Sequence, residues 1–105
     1  MRKESDFQAD LIQEIKERYP GCYVWKQDAK QGIPDLVIFY GDRWAMLECK
    51  RHSKAHHQQN QDYYIEKFNE MSFASFIFPE NKEEVLNDLD TALRVKRQTR
   101  IPRRK

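Results

Sequence analysis

Hydrophobic residues recur along the chain at spacings that predict three helices and four strands. Apolar side chains at helical spacing follow Ser5 and stop at Pro20-Gly21, and similar patterns begin at Gln61 and Asn81. Between these helices, β-branched and aromatic runs predict strands over residues 22–26, 35–40, 43–49 and 73–78. The predicted order is therefore α-β-β-β-α-β-α.

This order is typical of a single α/β domain, with a mixed central sheet flanked by helices. Gly41-Asp42 separates the second and third strands and predicts a tight hairpin. We expect the first three strands to form an antiparallel meander and the fourth, reached through a helix, to lie parallel to one of them. Ser5 with Gln8, and Asn81 with Glu84, predict capping boxes for the first and last helices.

Composition is that of a folded domain, since 39% of the 105 residues are hydrophobic and 12% aromatic. No apolar run approaches the roughly 20 residues of a membrane span, and the first residues do not resemble a signal peptide. We therefore expect a cytoplasmic protein without a membrane partner. In that compartment Cys22 and Cys49 should stay reduced, with Cys49 acting as a small buried hydrophobe.

Positive charge is concentrated at the end of the chain. Seven basic residues and no acid lie between Arg94 and Lys105, whereas the rest of the chain carries twelve basic and seventeen acidic side chains. Such a distribution suits a polyanionic partner, and it is equally compatible with a solvated terminal tail. We therefore divide the chain into a domain over residues 1–95 and a basic tail over 96–105, in which Arg97 and Arg100 are candidate DNA contacts.

The hairpin register brings two acids and a lysine to one sheet face. If Gly41 and Asp42 are the turn residues, continuing the ladder from them pairs Asp35 with Glu48. Lys50 lies two residues beyond Glu48, so strand alternation directs it to the same face.

Two opposed carboxylates between apolar strands repel each other unless a cation lies between them. Mg²⁺ fits this pair, because it binds through one or two carboxylates and keeps water or phosphate oxygens as its other ligands. Lys50 would then orient the attacking water or stabilise charge on the phosphate. The alternative is that the acids only flank the strand ends and that Lys50 neutralises them.

These residues also match a known pattern. Gly32-Ile33-Pro34-Asp35-Leu36, followed at a distance by Glu48-Cys49-Lys50, resembles the signature of the PD-(D/E)xK nucleases, and more narrowly their VRR-NUC branch. The resemblance runs from about Ser5 to Phe78. It implies Mg²⁺-dependent hydrolysis of DNA, with Mn²⁺ as a substitute. Small stand-alone members of this branch are similar to phage-type enzymes that resolve four-way (Holliday) junctions as homodimers, which implies the host-cell cytoplasm if the chain is phage-encoded.

The resemblance implies two further site residues. A glutamate on the first helix usually completes the acidic cluster, and Glu14, at the edge of the apolar face, is the candidate third metal ligand. Its alternative is an ordinary helix acid paired with Arg18. The downstream glutamine of the family corresponds best to Gln61, which shares a helix face with apolar residues. Gln58 and Gln59 remain alternatives.

Other polar and aromatic residues allow more than one interpretation. A zinc site is suggested by Cys49, His52, His56 and His57, but these residues lack a second ligand pair of recognisable spacing. We expect Arg51, Lys54 and Lys30 to contact DNA phosphates, and the alternative for the loop that follows Lys50 is a solvated connection. For the aromatic side chains of Tyr23, Trp25 and Trp44, we favour packing in the core over stacking on bases.

The sequence therefore favours a structure-selective endonuclease acting on branched DNA. One alternative is a less selective nuclease that nicks or trims flaps, ends or duplex. Another is a DNA-binding module on a degenerate nuclease fold, and a zinc-stabilised interaction domain is a fourth.

Overall fold

The computed structural model describes residues 3–28 and 30–94. They form an α/β domain whose elements, in chain order, are α1 (Glu4–Arg18), β1 (Tyr23–Lys26), β2 (Leu36–Tyr40), β3 (Arg43–Cys49), α2 (Gln61–Met71), β4 (Phe73–Ile77) and α3 (Lys82–Arg94), with a 3₁₀ turn over Pro79–Asn81. The predicted element order is confirmed. None of the helices in this part of the chain is long and apolar enough to cross a membrane.

The four strands form one mixed sheet in the order β1-β2-β3-β4. β1, β2 and β3 are an antiparallel meander, and β4 lies parallel to β3. The hairpin pairs Tyr40 with Arg43 and Leu36 with Leu47, which is the predicted register. Gly41 has φ +61°, a value that a glycine adopts without strain in this tight turn.

Helices pack on both faces of the sheet. The main core lies on one face, between the sheet and helices α1 and α3; its fully buried members include Leu11, Ile15, Leu36, Ile38, Leu47, Ile77, Leu86 and Leu89. Helix α2 packs on the opposite face, over β3 and β4. Strand alternation therefore separates an apolar core face from a second face, which carries Glu48 and Lys50 next to α2.

The predicted N-cap of α1 is wrong by two residues, whereas α2 and α3 begin where they were predicted. Helix α1 begins at Glu4, because the backbone N–H of Lys3 donates to the carboxylate of Asp6 (3.3 Å) and moves the capping interaction ahead of Ser5. Asn81 immediately precedes α3, as predicted. Its side chain accepts from the backbone N–H of Phe78 (2.9 Å) and holds the 3₁₀ turn that precedes the helix.

Helices α1 and α3 are joined by a charged cluster centred on Asp90. Arg18 donates to both carboxylate oxygens of Asp90 (3.3 and 3.0 Å), and the hydroxyl of the buried Tyr19 donates to one of them. Arg94 reaches the same carboxylate (3.4 Å). These donors hold the pKa of Asp90 at about 2, below its ordinary value, and the hydrogen bonds from Arg18 are the largest cause.

Asp90→Asn should lower the free energy of unfolding at neutral pH by about 1–2 kcal/mol, because charge-assisted hydrogen bonds are lost at a partly exposed site. A carboxyl with a lowered folded-state pKa stabilises the protein above its ordinary pKa and loses that effect as the pH falls towards about 2. The difference between variant and wild type should therefore shrink between about pH 4 and pH 2. Urea unfolding across this range measures it, with Asp88→Asn on the exposed side of α3 as the control. A difference that stays constant down to pH 2 would contradict this account.

Candidate active site

Asp35 and Glu48 are neighbours across the hairpin. Asp35 directly precedes β2, and Glu48 lies opposite it near the end of β3. The backbone N–H of Asp35 donates to Oε1 of Glu48 (3.1 Å), and that of Cys49 donates to Oδ2 of Asp35 (3.3 Å). The register thus lets each carboxylate accept a hydrogen bond from the backbone of the opposite strand.

Three polar side chains are buried at this end of the sheet: Glu48, Lys50 and Gln61. The amide nitrogen of Gln61 donates to Oε2 of Glu48 (3.0 Å), while its oxygen accepts from the backbone N–H of Gln58 (2.8 Å). Nζ of Lys50 lies 4.0 Å from Oε2 of Glu48 and donates to the carbonyl of His56 (3.0 Å). The structure therefore joins Gln61 directly to the acidic pair.

Burial makes the acidic pair reluctant to ionise. Burial raises the pKa of Glu48 to about 8, and the nearby charge of Asp35 adds to this rise. The pKa of Asp35 is also raised by burial, although the hydrogen bond from Cys49 opposes the change. Lys50 offsets only part of this effect. Two such carboxyls are expected to bind a proton or a metal cation between them.

A tight backbone approach brings the two halves of the site together. Gly32 has φ +94°, and a Cβ at this position would lie 2.8 Å from Cβ of Asn60, which precedes α2. The side chain of Gln27 also donates to the carbonyls of Ile33 (2.9 Å) and Pro34 (2.8 Å). A side chain at position 32 would push apart the loop that carries the first acid and the helix that carries the glutamine.

The acids and the lysine line an open cleft of about 530 Å³, whose lining residues are Lys3, Glu4, Asp35, Glu48, Lys50, Arg51, Ala55, His56, Gln58 and Gln61. Glu14 is not among them, so its predicted position in the acidic cluster is wrong. It forms an ion pair with Lys82 of α3 (2.6 Å). The α1 acid at the cleft is Glu4, whose pKa is raised by burial and then by Asp35. Glu14 lies ten residues further along α1, about 15 Å away at 1.5 Å per residue.

Glu4→Gln should weaken Mg²⁺ binding at the cleft by about 3- to 10-fold, because one negative charge near Asp35 is removed from a solvent-exposed position. Glu14→Gln is the matched control on the same helix and should leave Mg²⁺ binding unchanged. Titration calorimetry of both variants measures the effect. A larger change for Glu14→Gln than for Glu4→Gln would contradict the assignment.

The predicted DNA contacts occupy different positions. Arg51 lines the cleft. Lys30 lies over the ring of Tyr64 (5.4 Å to the centroid) and lines a smaller cavity of about 220 Å³, which shares Asp35 and Glu48 with the cleft. Lys54 is exposed and does not line the cleft. Arg97 and Arg100, and with them the predicted tail, lie outside the described residues.

Metal ligands at this site would have to come from few side chains. Within residues 3–28 and 30–94, no group of three or more His, Cys, Asp or Glu side chains is close enough to hold a metal ion. His57 instead pairs with Asp62 (2.9 Å) and stacks on Phe76, and Cys49 is a free, buried thiol. A cation at the cleft would therefore rest on the pair Asp35 and Glu48, with water or substrate oxygens completing its shell, a set that Mg²⁺ accepts.

Aromatic residues of β1 differ from their predicted environment. Tyr23 and Trp25 were expected in the core, but their side chains are exposed. Trp44 is half-buried and contacts Phe68 of α2 (6.4 Å between centroids). The reason is the position of α2, which covers β3 and β4 and leaves the second face of the edge strand β1 open. The alternation of side chains along a strand does not tell which strands of a sheet face a helix covers.

Comparison of the chain with protein-family models, with curated proteins and with solved structures finds no match.

Proposed function

We propose that this chain is a metal-dependent endonuclease that hydrolyses phosphodiester bonds in DNA. The observation that carries the proposal is the pairing of Asp35 and Glu48 at an open cleft, with the amine of Lys50 4.0 Å from Glu48. An acidic pair with raised pKa values, one carboxyl buried and the other half-buried, is expensive to maintain for stability alone, and such groups are concentrated at functional sites. The motif resemblance to the VRR-NUC nucleases supports the same chemistry.

Mg²⁺, with Mn²⁺ as a substitute, is the cofactor that we propose for the acidic pair. When bound, such an ion polarises a phosphate and lowers the pKa of a coordinated water. Oδ2 of Asp35 and both oxygens of Glu48 accept hydrogen bonds from the protein, which hold the carboxylates in fixed orientations. The remaining lone pairs of these oxygens are the donors that the pair offers to a cation.

Lys50 is the residue that we assign to the reacting phosphate. Its amine is held by the carbonyl of His56 and faces the cleft, so it can donate to a water or to a phosphate oxygen. Donors aimed at developing negative charge stabilise the transition state more than the ground state. Gln61 is a positioning residue, because its amide donates to Glu48 and holds that carboxylate in place.

Basic side chains at the rim suit a polyanion. Lys3 and Arg51 line the cleft, and Lys30 lines the adjoining cavity. Contacts of this kind bind phosphates without reading sequence and make affinity strongly dependent on salt. We therefore propose that the enzyme selects DNA by shape.

Branched DNA, such as a four-way junction, is the substrate that we propose, with a homodimer presenting two sites to opposite strands. This part rests on the motif resemblance. The alternative substrates are flaps, ends and plain duplex. Sedimentation at several protein concentrations tests the dimer, and a monomer at working concentration would count against paired incision.

The decisive experiment compares the wild-type protein with Asp35→Asn. Labelled four-way junctions, flaps, linear duplex and single strands are incubated with either Mg²⁺ or EDTA. We expect Mg²⁺-dependent cleavage of branched DNA that is lost in the variant, while binding persists. If the wild-type protein cleaves none of these substrates with Mg²⁺ or Mn²⁺, the nuclease proposal fails and a DNA-binding module remains. Equal cleavage of linear duplex would retain the nuclease and remove the branch selectivity.

A further inference from the structure

Three aromatic side chains form an exposed surface on the open half of the second sheet face. Tyr23 and Trp25 of β1 are 60% and 54% exposed, and Phe39 of β2 is 39% exposed. The rings touch in sequence, Tyr23 to Trp25 at 5.9 Å and Trp25 to Phe39 at 5.7 Å between centroids. We call these three residues the aromatic surface. Large aromatic side chains are normally buried, so a group of three exposed ones indicates a binding surface.

The rings are oriented so that most of their faces stay available. Both contacts are close to perpendicular, at 80° and 87° between ring planes. A perpendicular contact places the edge of one ring on a face of the other and so covers one face. The two contacts together cover two of six ring faces, and the exposed fractions show that much of the remainder meets solvent.

The aromatic surface leads directly to the candidate active site. Trp25 pairs with Val37, two residues and therefore about 7 Å along β2 from Asp35. The backbone N–H of Gln27, just beyond β1, donates to the carbonyl of Asp35 (2.8 Å). Strand alternation therefore places Trp25, Val37 and Asp35 on the same face of the sheet. β1, Tyr-Val-Trp-Lys, contains no acid.

We propose that the aromatic surface stacks unpaired nucleobases and thereby guides a single-stranded segment of the substrate to Asp35 and Glu48. This inference rests on the proposed nuclease function and deepens it, since it makes an unpaired strand beside the cleavage site part of the substrate. Stacking on exposed aromatic rings is tolerant of sequence because every base has a π-face. Lys30, which lines the cavity beside Asp35 and Glu48, is suitably charged for a phosphate of the same strand.

The extent of the aromatic surface favours bases over a second copy of the chain. Aromatic side chains of this size have roughly 150–250 Å² of surface each, so the exposed fractions leave about 300 Å². A standard protein interface takes about 800 Å² from each partner. Two adjacent rings on β1, about 7 Å apart along the strand, instead match the scale of successive unstacked bases.

Binding of oligonucleotides in EDTA, where cleavage is prevented, tests the proposal. The probes are a labelled oligothymidylate, an oligouridylate of equal length and a duplex of equal length, measured by fluorescence anisotropy. Trp25→Ala should weaken binding of the thymidylate by about 5- to 100-fold and of the duplex by less than about 2-fold. Met71→Ala on α2 removes a comparably exposed apolar side chain (59%) and should change neither. A similar loss for oligouridylate would support stacking as the mode of binding and extend it to RNA, since uracil differs from thymine only by a methyl group.

A second measurement uses the native ring. In a Trp44→Phe protein Trp25 is the only tryptophan, and its fluorescence should fall when oligothymidylate is added but not when the duplex is added. Trp25→Phe should keep most of the binding that Trp25→Ala loses, because a phenyl ring also stacks. The fluorescence titration and the Trp25→Phe variant still test the proposal if Trp25→Ala disturbs the folding of β1.

Three results would overturn the stacking proposal. One is unchanged fluorescence of Trp25 on saturation with oligothymidylate, and another is an equal loss of single-strand and duplex binding in Trp25→Ala. The third is a variant that binds DNA normally but no longer self-associates in sedimentation, which would make the aromatic surface a contact between copies. Failure of the nuclease function is distinguishable, because a protein that cleaves nothing can still bind single strands through Trp25.

Discussion

A Glu48→Gln variant should lose Mg²⁺-dependent cleavage by at least about 100-fold, and its free energy of unfolding without metal should depend less on pH than that of the wild-type protein. The loss of activity is expected because Glu48 supplies half of the acidic pair and also holds Gln61. The amide that replaces the carboxylate can still accept from the backbone N–H of Asp35. The fold around the hairpin should therefore persist.

The direction of the pH effect follows from the pKa of Glu48. Burial raises it to about 8 in the folded protein, whereas the unfolded chain has the ordinary value of 4.5. A group with a raised folded-state pKa contributes stability below its unfolded pKa, and this contribution is lost as the pH rises through the folded value. The wild-type protein without metal should therefore lose about 1–3 kcal/mol between about pH 4.5 and pH 8 from this group.

Urea unfolding at several pH values, with EDTA present, measures this difference. Glu66→Gln, on the exposed side of α2, is the matched control and should follow the wild-type pH dependence. Adding Mg²⁺ at pH 8 should raise the stability of the wild-type protein and of the control, but not of Glu48→Gln. Parallel pH profiles for Glu48→Gln and wild type would show that the pKa of Glu48 is not raised in the folded protein. Retained cleavage would show that Glu48 has no catalytic role.

The hairpin explains why the central part of the site could be predicted from the sequence. A two-residue turn fixes the pairing of every residue on both strands, so Gly41-Asp42 was sufficient to bring Asp35 opposite Glu48. Alternation then assigned Lys50 to the same face. These are local rules, and the β2–β3 pairing observed follows them residue by residue.

The acid on α1 could not be found by such rules. Helical periodicity tells which face of a helix is buried, but it does not tell which turn of that face meets the cleft. That position depends on how α1 lies across the sheet, and α1 brings its first turn to the cleft while Glu14 pairs with Lys82. Glu4 also lies at the edge of the predicted helix, where sequence boundaries are uncertain by a residue or more.

The aromatic surface was missed for a related reason. Tyr23, Trp25 and Phe39 have the composition of core strands, and strand propensity does not distinguish a covered edge from an open one. Only the position of α2 over β3 and β4 decides that these rings meet solvent. The sequence signal that could have raised the question is the shortness of β1, since short strands are typical of sheet edges.

Lys50→Met should reduce cleavage by at least about 100-fold while Mg²⁺ binding becomes tighter. The amine is 4.0 Å from Oε2 of Glu48, so its removal takes away a positive charge that competes with a cation for the acidic pair. An interaction of about 1 kcal/mol, the value for unit charges 4 Å apart in water, corresponds to roughly fivefold tighter binding, and more at lower effective dielectric. Methionine fills the space of the aliphatic stem, so the substitution removes the hydrogen bond to His56 and the charge near Glu48 but little packing.

Slower cleavage together with tighter Mg²⁺ binding distinguishes a catalytic role of Lys50 from a structural one. A lysine that merely neutralises the acids would, on removal, leave the pair more repulsive and the metal bound, with cleavage retained. A lysine that only holds the loop would, on removal, weaken metal binding and cleavage together. Calorimetry with Mg²⁺ and single-turnover cleavage of branched DNA measure both quantities, with the exposed Lys54→Met as control. Only lost cleavage with equal or tighter Mg²⁺ binding assigns Lys50 to the reacting phosphate.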